Sequence, residues 1–245
     1  MFGLDPMSLA FLAGVAILAG IVRGFAGFGT ALIYVPLASL VLPPLWLLVT
    51  LTVMDLVGPL PNVPRALRDG RLRDVALLAG AAVVTVVLGL ALLSRLDPVA
   101  FRWGVAILCL GTVALMMTGW RWRGRLSSPM LCGIGAVSGF LGGLSGLAGP
   151  PVLLTYVASP YPARTIRATI LLYLVAWDLL FGAVLFAQGQ LDSGAVLLGA
   201  ALILPYMAAN VLGARLFDPA KEGQYRAVAY VIITGAALMS VPLWG

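Results

Sequence analysis

Three ionisable side chains lie inside the long apolar stretches of this chain: Arg23, Asp55 and Asp178. Charges are costly in hydrocarbon, so such residues normally face a bundle interior, a water-filled cavity or a partner. A guanidinium presents parallel N–H donors that suit a sulfonate or carboxylate. It can also extend to the cytoplasmic interface and orient its helix, which is the first reading for Arg23. Asp55 and Asp178 read as coupling residues, since an intramembrane carboxylate can change protonation during a transport cycle. The competing reading has each accept hydrogen bonds from nearby glycine backbone, or pair with Arg23.

Around these charges the chain carries two glycine clusters. Gly24-Phe25-Ala26-Gly27-Phe28-Gly29-Thr30 is followed 115 positions later by Gly139-Phe140-Leu141-Gly142-Gly143-Leu144-Ser145, and Pro36 meets Pro151 at the same offset. Asp55 in Val53-Met54-Asp55-Leu56 and Asp178 in Ala176-Trp177-Asp178-Leu179 follow at corresponding depths, 123 apart. Matching glycine-rich breaks in two halves of an apolar chain point to a transporter's binding site. Thr30 and Ser145 are expected to cap the helices that restart after the glycines. Those two helix starts would then face a common central space, with free N–H groups and positive dipole ends aimed at an anion. The candidate substrate-binding residues are therefore Gly27, Phe28, Gly29 and Thr30 with Arg23, and Gly142, Gly143, Ser145 and Gly146. The alternative is that the glycines serve only to let helices pack closely.

The elements that must hold these residues follow from composition. At 62% hydrophobic and 10% charged, with a mean hydropathy of +1.07, the chain has too little polar surface for a soluble globule of 245 residues. Runs such as Val75 to Ser94 and Trp103 to Trp120 are of spanning length and do not alternate, so the expected fold is an all-α integral membrane bundle. Apolar segments run 7–42, 45–62, 75–94 and 99–120 in a first repeat, 1–125, and 130–159, 166–187, 194–214 and 225–243 in a second, 126–245. The first and fifth are too long for one ordinary crossing and hold the glycines near their middle.

Charge counting separates a kinked span from a hairpin. Eight single crossings put seven basic residues on each face, whereas two glycine-tipped hairpins give ten elements and collect 13 of the 15 on one face. Only Arg95 and Arg102 remain opposite. The cytoplasmic bias of Lys and Arg favours the second count. Each half then has an odd number of elements, which makes the repeats inverted and both termini periplasmic. Leu96-Asp97-Pro98 beside Phe217-Asp218-Pro219, and Gly70-Arg71-Leu72 beside Gly189-Gln190-Leu191, extend the repeat. Arg65 to Asp74 and Trp120 to Arg125 read as solvated cytoplasmic loops. Trp46, Trp103, Trp120, Trp122 and Trp244 read as interfacial anchors, and Trp177 as core packing.

Several classes fall away. Histidine is absent, and Cys109 and Cys132 sit in apolar runs, so no metal, cofactor or disulfide framework is expected. The basic residues are scattered singly in short loops, which argues against nucleic acid. No phosphate loop occurs, and Ser145 in Gly143-Leu144-Ser145-Gly146 has no histidine base, so neither ATP-driven pumping nor an intramembrane enzyme is expected. No removable signal peptide is read at the N-terminus.

The duplicated clusters, Gly24-Phe25-Ala26-Gly27-Phe28-Gly29 and Gly139-Phe140-Leu141-Gly142-Gly143-Leu144-Ser145-Gly146, resemble the TauE/SafE sulfite exporter family. Phe28 and Ala31 depart from that family's small residues in the first cluster. The resemblance implies ion-gradient-driven movement of a small sulfur-containing anion, such as sulfite or sulfoacetate, through a bacterial inner membrane. The competing expectation is an accessory or receptor subunit, embedded in lipid, that binds solute without moving it. A homo-oligomer is compatible with either.

Overall fold

The computed structural model describes residues 4–118, 126–216, 218 and 222–243. Eleven α-helices and one short 3-10 turn, and no strand, occur among them. They are α1 (Pro6–Ala26), α2 (Thr30–Ala38), α3 (Pro44–Val57), the 3-10 turn Leu60–Asn62, α4 (Val63–Asp69), α5 (Leu72–Leu93) and α6 (Pro98–Met117). The second half supplies α7 (Ser128–Ser145), α8 (Gly149–Val157), α9 (Ala163–Ala187), α10 (Ser193–Leu216) and α11 (Glu222–Ser240).

Among the described residues six helices, α1, α5, α6, α7, α9 and α10, are long and apolar enough to cross a bilayer. Their outward faces carry large apolar side chains: Val84 is 71% exposed, Phe186 75% and Leu204 78%. Exposed large apolar side chains on long apolar helices suit acyl chains rather than water. Trp120, Trp122, Trp244, Arg121, Arg123, Arg125, Lys221, Phe217 and Pro219 lie outside the described residues.

Helix starts and stops follow local chemistry. Asp5 caps α1, its carboxylate accepting from the amides of Met7 and Ser8 at 3.1 Å each, with Pro6 in the first turn. The hydroxyl and amide of Ser8 hold that carboxyl below its ordinary range. Gly27 ends α1 at φ 78°, ψ 2°, and Gly146 ends α7 at φ 75°, ψ −1°, the left-handed conformation that glycine adopts without a Cβ penalty. At each break the chain doubles back. The Ser138 hydroxyl donates to the Ala148 carbonyl just past the second break. Arg23 reaches Thr30 past the first. The returning helices, α2 and α8, have nine residues each, about 14 Å at 1.5 Å per residue.

The helices sort into two compact units, and neither is one half of the sequence. The first comprises α1, α2, α3, most of α6, α10 and α11; α1 packs along α10, α10 on α3, and α2 on α11. The second comprises the 3-10 turn, α4, α5, α7, α8 and α9; α5 packs along α7 and α9, and α4 on α9.

Small residues make the two closest pairings. In the first unit a Cβ on Gly20 or Gly24 would run into the α10 backbone at Tyr206, Asn210 and Ala214, and one on Gly213 into Ile21. In the second unit Gly135, Gly139 and Gly143 of α7 abut Leu78, Ala82 and Val86 of α5 in the same way. Lipid offers no hydrophobic drive for helix association, so dispersion between closely approached backbones takes its place. The Thr85 hydroxyl adds a 2.7 Å hydrogen bond to the Ala136 carbonyl across the α5–α7 contact.

Features at the two breaks recur in the structure at an offset of 119, one helical turn beyond the sequence offset of 115. Gly27 and Gly146, Gly20 and Gly139, Gly24 and Gly143, and the helix starts Pro44 and Ala163 all pair at 119. Four residues preserve the face of a helix, so the glycine patterns still overlay when slipped by that amount. On the 119 register Asp178 lies one turn further along α9 than Asp55 does along α3. The stretch Arg65 to Asp74 is also more than a solvated loop. It forms α4 and starts α5, with Ala66 and Asp74 buried in the second unit.

Candidate functional site

The first unit buries a closed ring of four polar side chains drawn from four helices. Arg23 of α1 lies 2.5 Å from Asp55 of α3, Nη1 to Oδ1, with both side chains 10% exposed. The same nitrogen donates to Thr30 Oγ1 of α2 at 3.0 Å. Tyr206 of α10 donates its hydroxyl to Asp55 Oδ1 at 2.7 Å and shares a 3.0 Å hydrogen bond with the Thr30 hydroxyl. Tyr206 and Thr30 are buried, and Gly58 leaves room for the tyrosine ring.

Local sequence places each member. Arg23 sits one turn before the Gly27 cap, so its side chain leaves α1 beside the break; its carbonyl accepts the Gly27 amide at 2.8 Å. Thr30 opens α2. Asp55 lies near the end of α3. Nearby, Tyr34 donates to Thr50 at 3.0 Å, and Cys109 is wholly buried in α6, as its apolar surroundings imply. Gly27 is exposed, Phe28 and Gly29 are half-buried, and nothing lies within 4 Å of a Cβ added to Gly27. Phe25 contacts Tyr225 of α11, ring centroids 5.3 Å apart.

The second unit has its own buried polar group at the other break. Ser138 of α7 bonds both the Ala148 carbonyl and the hydroxyl of Tyr173 on α9. Asp178, also on α9, is 6% exposed and bears electrostatically on Tyr173. Trp177 is 4% exposed, stacks on Phe181 at 5.3 Å and fills the space beside Gly142, which confirms it as core packing. At the start of α5, Asp74 receives Arg71 at 2.6 Å and the Tyr156 hydroxyl at 2.8 Å, and Arg71 lies 4.5 Å over the Tyr161 ring. Arg164 pairs with Asp69 at 2.5 Å on the exposed edge.

The model describing the sulfite exporter TauE/SafE family matches residues 12–240. The chain belongs to the TauE/SafE family. It is 32% identical over 108 residues to a Cupriavidus necator protein described as a probable sulfite/organosulfonate exporter TauE. That alignment covers 43% of this chain and 42% of the relative, so less than half of the relative's length is spanned. No solved structure gives a significant match. The helical bundle and the family together make this TauE/SafE member a multi-pass membrane protein.

Two expectations for the TauE/SafE break residues are corrected. Arg23 does not extend to an interface: it turns inward to Asp55 and Thr30, whose carboxylate and hydroxyl compensate the charge it carries away from water. Thr30 and Ser145 do not cap the restarting helices. Thr30 is the first residue of α2, behind Gly29 at φ 108°, and spends its hydroxyl on Arg23 and Tyr206. Ser145 ends α7 and donates to Leu141 at 2.8 Å, while α8 starts behind Ala148. Gly142 and Gly143 are buried against Trp177 and α5, and Gly146 supplies the turn.

Four tyrosines went unnoticed in the sequence. Tyr34, Tyr206, Tyr156 and Tyr173 are the largest fully buried side chains among the described residues, and each hydroxyl has a partner. Counted as hydrophobic, they vanish into apolar runs. The signal was available, since a phenol inside a span needs a hydrogen-bond partner.

Proposed function

We propose that this protein is a secondary transporter that exports a small sulfur-containing anion, sulfite or an organosulfonate such as sulfoacetate, across a bacterial inner membrane by alternating access. One observation carries the reading beyond the family: an arginine turned inward at the broken end of α1, held by a carboxylate and a threonine that a tyrosine hydroxyl in turn braces. The guanidinium recognises an oxyanion with the same N–H donors that it gives to Asp55. Gly27, Phe28, Gly29 and Thr30 surround the tip, and the first-turn amides of α2 add the partial positive charge of a helix start.

Asp55 is the coupling residue in this reading, facing Arg23 from α1 and Tyr206 from α10. Asp178, with Tyr173, is its candidate counterpart in the second unit. There Ser145 and Gly146 border the second break, and Gly142 and Gly143 hold it against its neighbours. The equal backbone geometry of the two breaks, 119 positions apart, supports an origin by duplication with inverted repeats. With Arg23 set aside as an inward-turned charge, the bias of 12 to 2 still supports periplasmic termini.

The purified chain in liposomes tests the reading. Sulfite or sulfoacetate loaded inside is expected to leave faster than from protein-free vesicles, and Arg23→Gln is expected to remove that difference. Binding without flux would make the protein an accessory subunit instead. No thermal stabilisation by sulfite, sulfoacetate, taurine or thiosulfate would remove the substrate class.

A further inference from the structure

We infer that Asp55 is a built-in stand-in for the transported anion, and that Tyr206 positions it. The inference rests on the reading of Arg23 as the anion-holding residue. Carboxylate and sulfonate are both delocalised oxyanions, and a guanidinium binds either through the same donors. Arg23 Nη1 gives its shortest contact, 2.5 Å, to Asp55 Oδ1. An anion that takes this guanidinium at the α1 tip must therefore displace a carboxylate already matched to it. The two contacts are alternatives.

The surroundings are built for such an exchange. Tyr206 donates to the same Asp55 oxygen at 2.7 Å, and Thr30 touches both the guanidinium nitrogen and the Tyr206 hydroxyl at 3.0 Å. Both residues are 2% exposed or less; Tyr206 commits its hydroxyl proton to Asp55, and the Thr30 hydroxyl rotates to serve whichever oxyanion sits beside Arg23. Four separate helices, α1, α2, α3 and α10, supply the ring, so changing the arginine's partner loosens or tightens contacts among all of them.

Charge gives the exchange its consequence. With Asp55 on Arg23 the pair is neutral, and a neutral pair reorients through hydrocarbon far more readily than a lone guanidinium. When the anion takes Arg23, the group gains that anion's charge. An inside-negative potential then drives the loaded form outward and leaves the return of the Arg23–Asp55 form nearly unaffected. Asp55 thus weakens anion binding and permits the carrier to return without cargo. Net export needs that return. Anion-for-anion exchange does not.

Proteoliposomes loaded with sulfite or sulfoacetate separate the two processes, with efflux into anion-free buffer measured against exchange with external anion. For Asp55→Asn the ratio of net efflux to exchange is expected to fall at least about tenfold. Its apparent Kd is expected to fall by about tenfold, since a competing form of the site is removed. Asp55→Glu restores the ratio. Tyr206→Phe keeps the pair but holds it less firmly, so it shifts Kd and ratio in the same directions by about twofold to threefold. Should Asp55→Asn fail to insert, Tyr206→Phe decides alone. Weaker anion binding in these variants, or equal losses of efflux and exchange, overturns the inference while the transporter reading stands. Absence of both fluxes in the unaltered protein overturns the transporter reading itself.

Discussion

Tyr206 and Arg23 direct their donors onto one oxygen of Asp55, from 2.7 Å and 2.5 Å, so a phenol from α10 and a guanidinium from α1 meet on α3. Three residues separated by up to 183 positions become one buried polar unit. Its stability is cooperative, because removing one member leaves the others desolvated without compensation.

That cooperativity is measurable. Arg23→Gln strands the Asp55 carboxylate and is expected to destabilise the protein by about 3–5 kcal/mol. Arg23→Gln with Asp55→Asn removes both charges and should recover more than half of that loss. Thermal or denaturant unfolding in detergent, run as a double-mutant cycle, reads the coupling; additive losses would show that the pair does not act as a unit.

Backbone contact at the glycines predicts a contrast within one helix. Gly24→Ala, whose Cβ meets the α10 backbone, and Gly143→Ala, whose Cβ meets Val86, are expected to cost about 1–3 kcal/mol each. Gly14→Ala in α1 has nothing within 4 Å and should stabilise by up to about 1 kcal/mol through helix propensity. Equal melting temperatures for Gly14→Ala and Gly24→Ala would refute close backbone packing as the reason for Gly24.

The two breaks depend on backbone conformation. Gly27→Ala meets no atom within 4 Å, so its whole effect is strain at φ 78°, about 1–2 kcal/mol. Asn tolerates that region better, and Gly27→Asn should fall between the two. If Gly27→Ala melts with the unaltered protein, the left-handed turn is not required.

Coupling is tested at the two carboxylates. Asp55→Asn and Asp178→Asn are each expected to lose the response of residual anion flux to an imposed pH gradient, while the response to membrane potential persists. Full pH-gradient dependence in both variants would show that neither carboxylate carries the coupled proton.

Orientation is read by labelling. In a background with Cys109 and Cys132 replaced by Ala, a single Cys at Arg65 or Arg164 should react with an impermeant thiol reagent only from the cytoplasmic side, and one at Arg95 only from outside. The reverse pattern would overturn the assignment of periplasmic termini.

Much of this protein is written in its linear pattern. Apolar runs of spanning length fix a helical membrane bundle, since hydrocarbon leaves a chain without lipid-facing edges only that solution once alternation is absent. The glycine clusters mark where α1 and α7 break, because at Gly27 and Gly146 the backbone takes a φ that residues with a Cβ avoid. Arg23, Asp55 and Asp178 announce themselves as charges in apolar surroundings.

What the pattern leaves open is which groups meet. Helical repetition makes a slip of four residues nearly invisible, so linear matching gives an offset of 115 where the helix caps and glycine contacts recur at 119. Orientation of Arg23 depends on distance to a carboxylate 32 positions away. Tyr206 enters the ring only because Gly20, Gly24 and Gly213 allow α10 to lie against α1, bringing its hydroxyl to Asp55. Charge and glycine content thus select the participants, and close backbone packing between helices distant in sequence pairs them.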